Sequence, residues 1–423
     1  MSKYNTLKGV ADIYTPDIHI WHTIENTAKE VFALYGFNEI RIPIIEYTEV
    51  FTRSIGQSTD IVEKEMYTFN DRGGRSISLR PEGTASVVRC YVQNNLHTLP
   101  SPQKFYYNGA MFRYERPQKG RFRQFYQIGA EVFGSVSPMM DAEMLSMLNE
   151  LLSRLKLNDT TLEINSIGCK QCRPSFRSAI QAFFLAKEEA LCADCKVRLN
   201  NNPLRLLDCK NETCANIRNG HPNILDYICS GCKGHHKRVK ELLNALGVSF
   251  VENPMIVRGL DYYTKTTFEV TTQHLGAQKA IIAGGRYDNL VEEFGGPAVP
   301  AIGFAIGMER MAELLRESYA GCQVSQKLYF APLCEKAETM SLSLCEKLRV
   351  KGISVVCGEG DLSLKRHLKK ADKLNVIFVI IIGEDEIVKG KATWRRLSDG
   401  QQGVIDIDTV EGYTSLIQGN TTR

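Results

Sequence analysis

The sequence contains no apolar run near the roughly 18 residues that a membrane span needs. Its first residues, MSKYNTLKGVADIYTPD, carry no apolar core of the signal-peptide kind. The expectation is a cytoplasmic protein with no membrane partner. Three catalytic signatures are also missing: GxxxxGK followed by Ser or Thr, HExxH, and GxSxG. Their absence argues against a P-loop nucleotide site, a zinc protease of that type and a nucleophile-elbow hydrolase. Charge of one sign is not in large excess. A net +4 over 423 residues permits a nucleic-acid partner without requiring one. What is present is ordinary globular composition, 43% hydrophobic and 24% charged, on a length that suggests more than one domain.

The most informative stretch runs from Phe105 to Gly134, FYYNGAMFRYERPQKGRFRQFYQIGAEVFG. Two aromatic-rich and β-branched runs flank a polar loop, which predicts a hairpin. Side chains alternate along a strand, so Phe125, Gln127, Gly129 and Glu131 share one face. Phe122, Tyr126, Ile128, Ala130 and Val132 take the other. In the first strand Arg113 and Glu115 share a face, as do Gly109 and Met111. Glycine on such a face leaves room for a ligand or for close backbone approach. Residues 113 to 123 hold Arg113, Arg116, Lys119, Arg121 and Arg123 against a single acid, Glu115. The plain reading is a solvated face with cross-strand ion pairs. The functional one is an anionic ligand, phosphate being the obvious candidate.

Earlier in the chain, Pro16 to Tyr35 has helical apolar spacing and ends at Gly36. A strand is expected from Asn38 to Ile45, and Pro43 places it at an edge or a subunit contact. A second hairpin, 66–69 with 76–80, runs into Arg80-Pro81-Glu82-Gly83-Thr84. There a helix begins, with Thr84 either its N-cap or a ligand contact. Ser137 to Leu155 reads as a helix whose methionines fill a core. Thirteen cysteines follow an uneven distribution, eight of them lying between Cys169 and Cys232. They pair as Cys169-x2-Cys172, Cys192-x2-Cys195, Cys209-x4-Cys214 and Cys229-x2-Cys232. In the cytosol disulfides are rare. The pairs suit two structural four-thiolate zinc sites, with His221, His235 and His236 as spare ligands, or a small helical insertion with reduced thiols.

Beyond it lie Val257-Arg258-Gly259-Leu260-Asp261-Tyr262-Tyr263-Thr264, a buried strand ending in Gly284-Gly285-Arg286-Tyr287-Asp288, and a strand-to-helix passage from Ala301 to Arg310. Small residues at 301, 303, 305 and 307 leave one strand face bare. That face suits a flat ligand with a phosphate, or close helix packing. From Val324 an alternating pattern through Ile382 reads as a separate α/β domain. Its helix Lys365-Arg366-His367-Leu368-Lys369-Lys370 is either a solvated face or an RNA-binding one.

Together these segments resemble the class II aminoacyl-tRNA synthetases, and within them the histidine-specific family. Gly36 to Pro43 is similar to the class II dimer motif, Phe105 to Gly134 to the second motif and Gly303 to Arg310 to the third. RGLDYYT at 258–264 and GGRYD at 284–288 resemble the two histidine-family signatures. The resemblance implies an α+β fold. Its catalytic domain over 1–323 is an antiparallel sheet flanked by helices, carrying a cysteine-rich, mostly helical insertion at 166–250. A C-terminal α/β anticodon-binding domain occupies 324–423. It also implies a homodimer that uses L-histidine, ATP with Mg2+, and the histidine tRNA. Within the resemblance, Arg113 and Arg258 hold the α-phosphate from two sides as the catalytic pair, and Phe125 and Arg310 sandwich the adenine. Glu115 lies near the adenine and Arg121 at the γ-phosphate. Glu82, Gly83, Thr84, Gln127 and Glu131 bind the histidine together with Arg113 and Arg258. Tyr262, Tyr263 and Tyr287 close that pocket, and Arg116 and Gln118 approach the tRNA acceptor end. The insertion carries more paired cysteines than the family leads one to expect. Two other functions remain to be weighed: a catalytically inactive relative serving as regulatory subunit of ATP phosphoribosyltransferase, and an RNA-binding protein without chemistry.

Overall fold

The computed structural model of the chain describes residues 4–55, 59, 61–118, 120–209, 211–256, 260, 262–275, 279–316 and 328–418. The backbone separates into two compact units, Met1–Ala320 and Gly321–Arg423. The boundary expected at 324 falls outside the described residues.

In the first unit, helix Asp17–Leu34 buries Ile20, Trp21, Ile24, Ala28, Val31 and Phe32, the stripe its spacing predicts. It stops because Gly36 takes a left-handed φ of +77°. Gly36 N then donates to Ala33 O and Phe37 N to Phe32 O, so the last carbonyls are satisfied. Helix Pro138–Arg154 starts on Ser137, whose side chain accepts from Met139 N. Its Met144 and Met147 are core residues.

These helices cover one face of an eight-stranded sheet. In spatial order its strands are Asn38–Glu39, Gln103–Phe112, Gln124–Phe133, Ala301–Gly307, Ala280–Arg286, Thr264–Thr271, Thr161–Ser166 and Val251–Glu252. The six central strands are antiparallel and the two-residue strands at the ends pair in parallel. Ile128, Ala130, Val132, Ile302, Phe304 and Ile306 point into the helix-packed core. The opposite face packs Tyr107, Met111 and Phe133 against helix Thr84–Gln93 and Tyr262, Tyr263 and Tyr287.

The expected strand from Asn38 to Ile45 is shorter than its pattern suggests. Pairing ends after Ile40 N bonds Tyr106 O. The carbonyls of Ile42 and Pro43 then go to the Arg80 guanidinium, at 2.6 and 3.3 Å, in place of a strand. The chain resumes pairing at Ile45–Tyr47, in a separate three-stranded sheet with Thr68–Asn70 and Ser76–Leu79. Arg113 and Glu115 likewise lie past the end of their strand. Tyr114 N turns away to bond Glu65 O.

The second unit has its own five-stranded sheet, ordered Val355–Cys357, Leu328–Pro332, Phe378–Ile382, Lys391–Arg396 and Gln402–Asp406. The first three strands are parallel, as the alternating pattern predicts, and the last two form an antiparallel hairpin. Helix Leu364–Lys373 buries His367 and Ala371 and leaves Lys365, Arg366, Lys369, Lys370 and Lys373 in solvent.

One ion pair fastens the first unit internally. Arg286 Nη2 lies 2.7 Å from Asp141 Oδ2, and both side chains are 0% exposed. Arg286 thus bolts strand Ala280–Arg286 to helix Pro138–Arg154, and His235 Nε2 reaches the same carboxylate at 3.0 Å. Without Asp141, buried Arg286 keeps only Asp288, at 3.1 Å, as an acid partner among the described residues, and His235 loses its acceptor as well. Asp141→Ala is therefore expected to cost about 3–5 kcal/mol in urea unfolding. Arg316→Ala, which breaks half-exposed pairs to Asp17 and Glu313, is expected to cost about 1 kcal/mol or less. Equal losses in the two variants would show that the buried pair is no special constraint.

Candidate active site

Strand Gln124–Phe133 lies between two neighbours, and its register decides what faces what. Gln127 is opposite Gly307, Gly129 opposite Ala305 and Glu131 opposite Gly303. The bare strand therefore lies beneath the polar face of its neighbour. Glu131 occupies the first gap. A Cβ at Gly303 would meet its Oε2 at 1.5 Å. The glycines of the hairpin are filled as well. A Cβ at Gly129 would strike the ring of Tyr107, and one at Gly109 the guanidinium of Arg80. These glycines admit protein side chains, so the ligand space expected there lies elsewhere.

It lies farther along the same face. A cleft of about 340 Å³ is lined by Glu82, Thr84, Arg113, Glu115, Arg121, Phe125, Gln127, Tyr262, Tyr263, Glu269, Ala305, Gly307 and Arg310, among others. At one end Glu82 is fixed by the start of helix Thr84–Gln93. Its carboxylate accepts from Thr84 N at 2.7 Å and Ala85 N at 2.9 Å. Thr84 is accordingly no N-cap. Its hydroxyl donates to Glu131 Oε1 at 2.7 Å. Tyr287 OH donates to Glu131 Oε2 at 2.6 Å. Glu131 and Tyr287 are almost fully buried behind the cleft wall. Burial pushes the Glu131 carboxyl up to about 8, and the charge of Glu82 adds to this against the bonds from Tyr287 and Thr84. Burial also raises Glu82. In the wall itself, Gln127 Oε1 is buried with no hydrogen-bond partner among the described residues.

The other end is cationic. Arg113 donates to Pro81 O at 2.9 Å and lies over the Phe125 ring at 5.2 Å. Glu115 bridges two arginines, with Arg121 Nη1 at 3.0 Å and Arg113 Nη1 at 3.8 Å. Arg310 Nε donates to Gly120 O at 3.3 Å and so holds the loop tip. Cross-loop ion pairs thus exist, and they line the cleft. The remaining loop cations separate. Arg123 sits 4.0 Å from the Tyr114 ring centroid, Arg116 and Gln118 are exposed away from the cleft lining, and Lys119 lies outside the described residues. Arg258 lies outside them too.

The sequence pattern of the family described as Histidyl-tRNA synthetase matches residues 9–173 and 217–311, and that of an anticodon binding domain matches 324–415. The chain belongs to the histidyl-tRNA synthetase family. A protein of Thermodesulfovibrio yellowstonii named histidine--tRNA ligase is 51% identical, over 95% of this chain and 96% of its own. One of Trichlorobacter lovleyi with the same name is 48% identical, over 98% and 99%. The crystal structure of apo S. aureus histidyl-tRNA synthetase superposes with a TM-score of 0.81 at 33% identity, over 98% of this chain and 99% of that one.

Within this family member, several cleft residues carry little signal in the sequence. Glu269 faces the cleft from strand Thr264–Thr271, opposite Ala283. Phe122 lines the cleft because it lies in the loop, past the strand whose core face its parity suggested. Glu309, next to Arg310, accepts from Tyr126 N at 2.9 Å, and burial pushes it up to about 7. Tyr107, buried behind the cleft against Gly129 and Gly83, shares the alternation of Gly109 and Met111.

The raised carboxyls have a consequence for stability. An unfolded glutamate releases its proton near 4.5, whereas folded Glu131 holds it to about 8. Across that window the native state binds the extra proton, so stability falls as pH rises. Glu309 acts in the same sense up to about 7. The urea midpoint of the ligand-free protein is expected to decline from pH 5 to 8, and Glu131→Gln to flatten the decline. An unchanged slope in that variant would remove Glu131 from this role.

Proposed function

We propose that the chain is a histidine–tRNA ligase that works in two steps in the cytoplasm. The histidine carboxylate oxygen attacks the α-phosphorus of ATP, forming histidyl-adenylate and releasing pyrophosphate. The 3′-terminal hydroxyl of the tRNA then attacks the activated carbonyl and AMP leaves. Neither step needs a protein nucleophile. The catalytic task is to align the reactants and neutralise the phosphate charge. The observation that carries this reading is the division of one cleft into an acid, amide and phenol end and an arginine end.

In this reading Arg113 and Arg258 flank the α-phosphate, Arg121 meets the γ-phosphate end, and Phe125 and Arg310 enclose the adenine with Glu115 nearby. Magnesium neutralises the outer phosphates when bound. Of the carboxylates that line the cleft, Glu115 and Glu269 would hold it through oxygen, the ligand type it takes. Glu82, Thr84, Gln127, Tyr262 and Tyr263 surround the amino acid, with Gly83, Glu131 and Tyr287 supporting them from behind. An imidazole offers one donor and one acceptor, for which acids, amides and phenols are fitting partners. A cleft built this way rejects an analogue that leaves its polar groups unpaired. Arg116 and Gln118, exposed on the hairpin loop, reach toward the acceptor end, and the second unit takes the anticodon with its lysine-rich helix. A homodimer is supported by the edge position of Asn38–Glu39 and by Ile44, Ile45, Tyr47 and Phe69, each about half exposed nearby in the chain. A purely regulatory relative has no use for the arginines that line this cleft.

Histidine-dependent exchange of pyrophosphate into ATP is the direct assay. No exchange from folded protein would sink the proposal. Arg113→Ala is expected to lower the exchange rate by about 10²–10³-fold, the usual loss for one charge-stabilising group, with a smaller change in histidine KM. Arg258→Ala is expected to behave alike. A full rate in either variant removes that arginine from the α-phosphate.

A further inference from the structure

The cysteine-rich segment takes no part in the cleft chemistry, and its fold answers a question that spacing left open. Eight cysteines in four pairs can combine in several ways. The chain brings them together as two sets: Cys169, Cys172, Cys229 and Cys232, and Cys192, Cys195, Cys209 and Cys214. In each set all four sulfurs lie within 4.8 Å of one another. We propose that each set binds one zinc ion through four thiolates. The first site clamps the base of the insertion and the second holds its interior.

Geometry supports a single ion in each. A tetrahedral zinc with bonds of about 2.3 Å sets its sulfurs about 3.8 Å apart. Cys169 and Cys172 stand 3.5 Å apart, Cys172 and Cys232 3.9 Å, and Cys192 and Cys209 3.9 Å. All eight are free thiols, so the closeness is not that of disulfides. An iron–sulfur cluster fits poorly, because its cysteines bind different irons and spread apart. Backbone donors already point at the sulfurs. Cys229 N lies 3.1 Å from Cys172 Sγ, and Cys192 N lies 3.3 Å from Cys214 Sγ. Such N–H groups orient metal-bound thiolates and offset their charge. The three histidines that spacing allowed as spare ligands are engaged elsewhere. His221 faces Met255 and Pro222 O, His235 meets Asp141, and His236 meets Glu252.

The two sites differ in what they join. Cys169 and Cys172 follow strand Thr161–Ser166, where the chain enters the insertion. Cys229 and Cys232 open helix Ser230–Ala245, where it leaves. An ion there closes the whole excursion at its neck. The second set lies within the excursion and joins helix Ala193–Asn201 to the start of helix Glu212–Ile217. Five of the eight sulfur-bearing residues are members of the local core, beside Phe176, Ile180, Phe184, Leu199 and Leu206. In such a core the free energy of metal binding becomes folding free energy.

The test is metal analysis of the full chain purified without chelator or added metal. About two equivalents of zinc per chain are expected. The double variants Cys169→Ser/Cys172→Ser and Cys192→Ser/Cys195→Ser are each expected to retain about one. Fewer than about half an equivalent in the parent chain overturns the proposal, as does iron in place of zinc. A single equivalent that the Cys169→Ser/Cys172→Ser variant abolishes and the Cys192→Ser/Cys195→Ser variant keeps overturns the second site. Should a variant fail to fold, limited proteolysis of the parent chain still decides. A strong chelator is expected to open cleavage between residues 173 and 228 and leave the rest of the first unit intact. A protease pattern unchanged after the zinc has been removed would refute the structural role.

Discussion

The constraint on which the site depends is the register of strand Gln124–Phe133 against strand Ala301–Gly307. With Glu131 opposite Gly303, a carboxyl group fits where any side chain on the neighbour would collide with it. Side chains alternate with period two, so a slip of one residue would exchange the faces of the strand. Glu131, Gln127 and Phe125 would then enter the helix-packed core, while Ile128, Ala130 and Val132 would line the cleft. Glycine at 303 and tyrosine at 107 each accept one arrangement. Tyr107 fills the space above Gly129 and Gly83, thereby tying the hairpin to the start of helix Thr84–Gln93. Glu82, Thr84 and Glu131 come from segments far apart in sequence, and this packing assembles them into one corner.

Much of this was legible in the sequence, for identifiable reasons. The hairpin strands carry a strong period-two signal, and helix Asp17–Leu34 carries both a stripe and a glycine stop. The alternation of small residues from 301 to 307 correctly marked one bare face. What it could not reveal was the occupant of each gap, which depends on a partner strand more than 150 residues away. The extended segment after Glu39 has the pattern of a strand, yet its carbonyls are taken by Arg80, a long-range contact that leaves no local trace. The hairpin Lys391–Arg396 with Gln402–Asp406 carries only a weak sequence signal. The all-apolar run before it signals a buried strand far more strongly than these half-exposed ones do.

The charges of the cleft are arranged with economy. Five cations in the hairpin loop would repel one another if they shared one place. They are dispersed by Glu115, which takes Arg113 and Arg121, and by Tyr114, whose ring carries Arg123. Only two of the loop cations therefore border the cleft among the described residues, joined by Arg310 from the neighbouring helix. At the opposite end the acids are buried, and burial pushes the Glu131 carboxyl up to about 8 and raises its neighbour Glu82 as well. The cleft is thus polarised along its length. A ligand with a phosphate at one end and a donor-rich group at the other suits it better than a uniformly charged one.

The insertion meets this site through its neck. Ile167 N donates to Lys265 O, and Lys265 N donates to Gly168 O. These two bonds join the residues just before Cys169 to the strand that begins immediately after Tyr263. Lys265 is held at a φ of +45°, a left-handed conformation unusual for a residue other than glycine. Its ammonium lies 2.9 Å from Asp288, beside Tyr287. The strained backbone is therefore pinned on one side by the neck of the insertion and on the other by the acid that follows the tyrosine supporting Glu131. A small module with a limited apolar core needs a covalent or metal staple to stay ordered. The neck of the insertion and the acid-and-phenol end of the cleft are thereby joined through two backbone hydrogen bonds.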